Sequence, residues 1–263
     1  MSLDIGSPVA SVIVARPYLE KIMDLKKLRR FMPVVGRNNQ QDREVWLERT
    51  LAAIPEKSRI LDAGAGTRRY RRYCSHLEYV SQDFGQYDGE GDGVGLHSGE
   101  FDYGELDIVS DICDIPEENG SFDAIMCIEV LEHVPNPAEA IKEFGRLLKV
   151  GGLLVLTAPF CSLTHLAPYH FCTGFSEYWF RHQLGESGFD ILDIQPNGNY
   201  FEYLAQELYR LPTVATRYSK TKPKLWELAG MFMVQSMLAR LSRRDQGSSD
   251  LLCYGFHTLA VKR

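Results

Sequence analysis

The stretch Arg59–Thr67 constrains the fold of this chain more than any other part of the sequence. It begins as a short apolar run that predicts a strand, becomes acidic at Asp62 and then turns on Gly64 and Gly66. A strand that ends in G-x-G has no Cβ atoms at the turn, so the backbone can bend sharply and lie against a ligand. Asp83 closes the next strand-like run, and an acidic residue about 20 positions after such a loop suits the hydroxyls of a ribose. The pattern therefore predicts a nucleoside-binding loop between the first two strands.

This loop lacks one glycine of the dinucleotide fingerprint. The third glycine of G-x-G-x-x-G allows close packing of helix on strand, and Arg69 stands at that position. The departure disfavours a nicotinamide or flavin dinucleotide, and with it an NAD(P) oxidoreductase. A nucleoside without a pyrophosphate is favoured instead.

Acidic residues recur at the predicted carboxyl ends of four successive strands. Apolar strands alternate with helices through this part of the chain, which predicts a parallel sheet with helices on both faces. Ligands bind beyond the carboxyl ends of such strands, and Asp62, Asp83, Asp111 and Glu129 all fall there. Carboxylates gathered at one edge suit a ligand that carries a ribose, an amine and a cationic sulfur.

Four blocks of sequence resemble those of class I S-adenosylmethionine-dependent methyltransferases. The resemblance extends over about residues 56–195, with Val150 at a position where the family usually has proline. The blocks are Ile60–Gly66, Gln82–Asp83, Asp111–Pro116 with Ser121–Asp123, and Leu131–Val134 with Leu147–Gly152.

The resemblance implies an α/β fold with a mostly parallel seven-stranded sheet, helices on both faces and an antiparallel last strand at the sheet edge. We expect an N-terminal helical cap over residues 1–55 and a core that binds S-adenosylmethionine over 56–200. A helical insert over 201–250 and the final strand of the core sheet over 251–263 complete the expected organisation.

The resemblance also implies a cofactor site. The backbone at Gly64 and Gly66 would approach the methionine and ribose, Asp83 would hold the ribose hydroxyls, and Asp111 would accept from the adenine amino group. For Asp62 the alternative is a loop organiser that bonds backbone amides. The expected cofactor-binding residues are Asp62, Ala63, Gly64, Gly66, Asp83, Phe84, Asp111, Ile112, Ile128 and Glu129.

The expected reaction is methyl transfer from the sulfonium to a nucleophile by in-line displacement. An oxygen acceptor with a high pKa needs a base, and His170 or His165, after the fifth strand, is the first choice. His133, after the fourth, is more often structural in the family. No N-P-P-Y motif occupies Ile128–Leu131, which disfavours an amide or base nitrogen as the acceptor. The resemblance implies a small-molecule or glycan- or lipid-linked acceptor, methylated at oxygen. The alternative is a regulatory module that binds S-adenosylmethionine or S-adenosylhomocysteine without turnover.

Composition limits the partners of this chain. A net charge of −6 and a pI near 5.7 argue against a nucleic-acid partner. The six cysteines include no C-x-x-C pair and no zinc spacing, so the sequence predicts free thiols, a cytoplasmic protein and no metal. The Gly- and Asp-rich residues 84–104 predict a mobile surface loop.

Residues 225–241 are apolar around most of the circumference of a predicted helix. Three interpretations remain open for this segment: a lid over the acceptor, a homodimer surface, or a peripheral membrane contact. Charged residues interrupt the run, so it is not expected to span a bilayer.

Helical spacing predicts two N-terminal helices, over 17–30 and 39–54, that either cap the nucleotide site or pack on the core. The second would bury Val45 together with Trp46, Leu51 and Ile54. A crossover helix is predicted over 68–76. Gly151 is expected to stop the helix before the fifth strand.

Overall fold

One seven-stranded sheet organises residues 33–263, which are the residues that the computed structural model describes. The helix predicted over 17–30 lies outside them. The described helices are α1 (Asn39–Ala52), α2 (Pro137–Leu147), α3 (Glu177–Glu186), α4 (Tyr200–Val214) and α5 (Leu225–Ser242). The strands are β1 (Arg59–Ala63), β2 (Glu78–Asp83), β3 (Ile108–Val109), β4 (Phe122–Ile128), β5 (Leu148–Pro159), β6 (Phe189–Asn197) and β7 (Gly255–Lys262).

The strand order is β3-β2-β1-β4-β5-β7-β6, and all pairs up to β5 are parallel. The last strand, β7, is antiparallel to both neighbours: Ala260 pairs with Leu154 of β5 and with Ile191 of β6. The predicted fold class is therefore confirmed. The predicted place of the last strand at the edge is wrong, because β7 lies inside the sheet and β6 forms its edge.

Helices cover both faces of the sheet, as predicted. On one face, Phe144 and Leu147 of α2 pack with Phe180 of α3 in a core of fully buried side chains. On the other face, Leu47 and Leu51 of α1 pack against the sheet. Each fully buried side chain of this size stabilises the fold by about 1.5–3 kcal/mol.

Three of the four residues that the helix predicted over 39–54 would bury are buried, although α1 itself ends at Ala52. Trp46, Leu51 and Ile54 are buried, whereas Val45 is 61% exposed. Adjacent residues of a helix are about 100° apart, so Val45 lies off the face that carries Trp46. Trp46 also stacks on His257 of β7, with ring centroids 4.9 Å apart.

Two connections differ from the predictions. The crossover after β1 is a short 3₁₀ helix, Arg69–Tyr73, rather than a helix that continues to His76. Arg69 and Arg72 in it contact Glu44 of α1. Further along, α2 ends at Leu147 and is not stopped by Gly151, which lies within β5 at a φ of +79°.

The C-terminal insert folds as two helices that pack on each other. Gln235 of α5 is buried and donates a hydrogen bond to the carbonyl of Ala205 in α4, at 2.8 Å. The opposite side of α5 leaves Trp226 and Met233 69% and 68% exposed. Among the described helices, none combines the length and the apolar character needed to cross a bilayer. All six cysteines are free thiols, as predicted.

Candidate functional site

A cavity of about 830 Å³ opens at the carboxyl ends of the parallel strands. Nine of the expected cofactor-binding residues line it: Asp62, Gly64, Gly66, Asp83, Phe84, Asp111, Ile112, Ile128 and Glu129. Ala63, fully buried in β1, is not among the described residues that line this larger cavity. The sheet thus brings residues from four strand ends together, because parallel strands end at the same edge.

Asp83 fixes the glycine loop. Its Oδ2 accepts from the backbone N–H of Gly66 at 2.8 Å, and its Oδ1 accepts from that of Gly85 at 3.1 Å. A carboxylate has about four acceptor sites, so this group retains capacity for a further donor. Burial raises the pKa of this carboxyl, and the backbone donors of Gly85, Gly66 and Phe84 oppose that shift.

The hydrogen bonds of Asp62 are not those of a loop organiser. Its Oδ2 accepts from the hydroxyl of Tyr79 at 2.6 Å. The loop amides bond elsewhere, since Gly64 and Ala65 both donate to the carbonyl of Gln82, at 2.9 and 2.8 Å. Burial, opposed by the Tyr79 hydroxyl, raises the pKa of Asp62 to about 7. Asp62 is thus a buried acid at the cavity wall, held by a side chain of the neighbouring strand.

Gly64 is required by a protein contact. Its φ is +75°, and a Cβ on it would lie 2.5 Å from Cγ1 of Val130. The resemblance implies that this glycine lets the backbone approach a ligand, and the Val130 side chain is a separate reason that a larger residue is excluded here.

The segment 84–104 forms one side of the larger cavity, a role that the prediction of a surface loop missed. Tyr87, Phe101 and Tyr103 line the cavity, and Tyr87 is 4% exposed. The segment is attached to the post-β5 residues, because Leu96 donates to the carbonyl of Thr164 at 3.0 Å. The aromatic residues among its glycines and aspartates were the signal that could have identified it.

A second, smaller cavity of about 420 Å³ adjoins the larger one. Its lining comes from α1, the segment after β5, and α4, with Asn39, Arg43, Cys161, Ser162, Gln206 and Arg210 among the polar contributors. Four residues line both cavities: Ser98, Glu129, His165 and Leu166. We call the region where these four residues lie the boundary.

Glu129 is held firmly at this boundary. It has a left-handed backbone with a φ of +56°. Arg43 of α1 approaches its Oε2 at 2.8 Å, and the Thr157 hydroxyl donates to its Oε1 at 2.9 Å. The helix α1 thus packs on the core, which is one of its two predicted roles, and also supplies side chains to the smaller cavity.

The three predicted catalytic histidines cluster beside the boundary. The ring centroids of His133 and His165 are 4.6 Å apart, and those of His165 and His170 are 5.0 Å apart. Burial, and then the neighbouring His165, lower the pKa of His133 to about 4. His170 bonds to the hydroxyl of Ser162 at 3.2 Å and is not among the described residues that line either cavity.

Comparison with known proteins identifies the class of domain to which these cavities belong. A family model described as "Methyltransferase domain" matches residues 36–194. A ubiquinone biosynthesis O-methyltransferase of Xanthomonas oryzae pv. oryzae (strain PXO99A) is 56% identical over 41 residues. That match covers 16% of this chain and 17% of the relative.

Solved structures share the fold at low sequence identity. The [4+2]-cyclase SpnF has a TM-score of 0.50 at 20% identity, over 86% of this chain and 84% of its own. A geranyl diphosphate methyltransferase in complex with SAM has a TM-score of 0.50 at 13% identity, over 84% and 85%. At such identities the similarity establishes the architecture alone.

Proposed function

The chain belongs to the methyltransferase-domain family, and from that premise we propose that it transfers the methyl group of S-adenosylmethionine to an oxygen atom of a small-molecule or glycan- or lipid-linked acceptor. The observation that carries this proposal is the meeting of two cavities at Glu129 and His165. The larger one suits the cofactor and the smaller one the acceptor.

The residues of the larger cavity fit S-adenosylmethionine. Asp83 retains acceptor capacity for the ribose hydroxyls, and Asp111 lines the cavity at the end of β3 for the adenine amino group. Asp62 and Glu129 supply acidic groups toward the cationic end of the ligand. When bound, S-adenosylmethionine supplies an activated methyl group on a sulfonium.

The residues of this chain then have to align the acceptor and exclude water. The 84–104 segment covers the larger cavity with Tyr87, Phe101 and Tyr103. The acceptor oxygen would enter from the smaller cavity and meet the methyl carbon at the boundary. It would lose its proton beside His165, the predicted catalytic histidine that lines both cavities.

An oxygen acceptor is supported by three observations. The lining of the smaller cavity is largely polar, imidazole rings stand beside the boundary, and one matched relative is named an O-methyltransferase. Because that match spans only 17% of the relative, its name identifies no acceptor for this chain.

A regulatory module without turnover is the second candidate. It would use the larger cavity alone, so the smaller one would have no role. The smaller cavity with its polar lining favours turnover over this alternative.

The test is a pair of measurements on one protein preparation. Titration calorimetry with S-adenosylhomocysteine and with NAD⁺ should show binding of the first and none of the second. Incubation with S-adenosylmethionine and pools of hydroxylated acceptors should then produce S-adenosylhomocysteine. Binding without product from any acceptor pool would favour the regulatory module, and no binding would refute the methyltransferase proposal.

A further inference from the structure

Glu132 is a buried carboxylate with unused acceptor capacity. Its side chain is 1% exposed, and its Oε2 has no hydrogen-bond partner among the described residues. The backbone carbonyl of Glu132 accepts hydrogen bonds from the backbone N–H groups of Phe171 and Cys172, at 2.9 and 3.1 Å. These bonds dock the post-β5 segment on the 3₁₀ turn Leu131–His133. A buried carboxylate without a partner costs several kcal/mol, so this group requires compensation.

Two imidazole nitrogens face the same carboxylate. The Nε2 atoms of His133 and His165 lie 3.7 and 3.9 Å from Oε1 of Glu132. A hydrogen bond joins its heavy atoms at about 2.7–3.2 Å, so no proton is shared across these gaps. The ligand atoms of the three residues all lie within 4.8 Å of one another.

The opposite ring nitrogens determine which tautomer is present. Nδ1 of His133 bonds to the carbonyl of Tyr169, and Nδ1 of His165 bonds to the carbonyl of Leu163 at 2.8 Å. A carbonyl can only accept, so each Nδ1 carries the hydrogen and each neutral ring presents a lone pair at Nε2. Two lone pairs and the carboxyl group of Glu132 therefore converge, and no side chain among the described residues donates a hydrogen bond to them.

We propose that Glu132, His133 and His165 bind a divalent transition-metal ion such as Mn²⁺, Co²⁺ or Zn²⁺. Two imidazoles and one carboxylate form a ligand set that such ions prefer, whereas Mg²⁺ prefers oxygen ligands alone. The carbonyl bonds at Nδ1 are the outer contacts that orient metal-binding histidines. Arg43 does not oppose the ion, because its charge is already paired with Glu129.

The ion's position gives it a role in the reaction, and this role rests on the proposed function. Glu132 and His165 line the smaller cavity, and His165 also lines the larger one. With Nε2 engaged by the ion, His165 would act as a ligand and no longer as the base. An acceptor hydroxyl bound to the ion would have a lowered pKa and would lose its proton to solvent. The new O–C bond would form as the S–C bond breaks, and the bonding electron pair would remain on sulfur.

The sequence predicted no metal because this arrangement has no recognisable spacing. Glu132 and His133 are neighbours in the chain, and His165 arrives only after α2 and β5. His170 is the adjacent ring but bonds to Ser162, so we place it outside the ligand set.

Metal binding is the first readout. Chelator-treated protein should bind one equivalent of Mn²⁺, Co²⁺ or Zn²⁺ by calorimetry, and bind Mg²⁺ more weakly. Glu132→Gln keeps the shape but removes the anionic ligand and should lower affinity by at least about 10-fold. His182→Ala, on the exposed surface of α3, is the matched histidine control and should bind like wild type. Absence of stoichiometric binding, or equal binding by Glu132→Gln, would overturn the site.

Two further readouts keep this proposal separate from the proposed function. Glu132 does not line the larger cavity, so Glu132→Gln should bind S-adenosylhomocysteine within about threefold of wild type, which also verifies folding. His165→Gln is a second variant that should lose the metal-dependent rise in Tm. Failure of wild type to bind S-adenosylhomocysteine would refute the proposed function while leaving the metal site. Methyl transfer that persists unchanged after metal removal would overturn the ion's role.

Discussion

The two cavities are built from different kinds of chain segment. The larger one is lined by residues at the ends of β1, β2 and β4 and just beyond β3, so the sheet itself sets their relative positions. The smaller one is lined by α1, the 84–104 segment, the post-β5 residues and α4, which are distant in sequence. The sheet therefore fixes a large part of the lining of the larger cavity, whereas the smaller cavity depends on the packing of segments that are distant in sequence.

The largest effect on ligand affinity is expected from a substitution in the larger cavity alone. Asp83→Asn removes the negative charge of the group that accepts from Gly66 and Gly85 and replaces one acceptor oxygen with an NH₂ donor, so a ribose hydroxyl loses a charged acceptor. Hydrogen bonds to a charged group contribute about 1.5–3 kcal/mol, so affinity for S-adenosylhomocysteine should fall about 100-fold by calorimetry. Asp92→Asn, an exposed aspartate of the 84–104 segment, is the control. Equal affinities for the two variants would contradict the assignment of the larger cavity.

A substitution in the smaller cavity should leave ligand binding in the larger cavity unchanged. Arg43 lines only the smaller cavity and pairs with Glu129, with side chains 13% and 28% exposed. Arg43→Met should lower the free energy of unfolding by about 2 kcal/mol in urea, because it leaves a half-buried carboxylate unpaired.

Arg181→Met is the control for this change. Its pair with Glu177 is exposed, so about 0.5 kcal/mol or less is expected. Affinity of Arg43→Met for S-adenosylhomocysteine should stay within about threefold of wild type. A larger loss of affinity would mean that the two cavities are not separable.

The buried acid of the larger cavity predicts a pH dependence. Asp62 has a pKa of about 7 in the folded protein against an ordinary value of 3.8, so the folded state holds its proton more tightly. The stability from this group is complete below about pH 4 and is lost as the pH rises to about 7.

Asp62→Asn tests this sign directly. The amide oxygen can still accept from Tyr79 but cannot ionise, so the variant should gain on wild type between pH 4 and pH 7. The gain should be on the order of 1 kcal/mol, since solvent in the cavity moderates the cost of charge. Urea unfolding at several pH values measures it, and parallel curves for the two proteins would contradict the account.

The smallest effect is expected away from both cavities. Trp226 on the exposed side of α5 lines neither of them, so Trp226→Ala should leave S-adenosylhomocysteine affinity unchanged and stability within about 0.5 kcal/mol. Sedimentation and vesicle flotation of both proteins distinguish the dimer and membrane interpretations of this helix. A loss of cofactor affinity would show that α5 acts on the larger cavity after all.

Sequence reasoning succeeded where a residue's position follows from the end of a strand. Asp62, Asp83, Asp111 and Glu129 could be placed together because parallel strands share one carboxyl edge. The same logic predicted the sheet, but not the interior place of β7, since the insertion of β7 between β5 and β6 is decided by tertiary contacts.

Sequence reasoning failed where the residues that contact one another come from distant segments of the chain. Glu132 has no local signal, because its significance depends on His165, brought close by the docking of the post-β5 segment. The sequence around Tyr87 predicts a surface loop, because glycines and aspartates surround this residue. A Cβ atom at Gly64 is excluded by the side chain of Val130, a residue that follows β4, the strand next to β1.

The most direct test of the central claim is a crystal structure of the complex with S-adenosylhomocysteine. We expect the ribose to contact Asp83 and the sulfur to lie at the boundary, where it faces the smaller cavity between Glu129 and His165. A ligand that binds elsewhere, or whose sulfur faces away from the smaller cavity, would contradict the proposal that the two cavities hold the methyl donor and its acceptor.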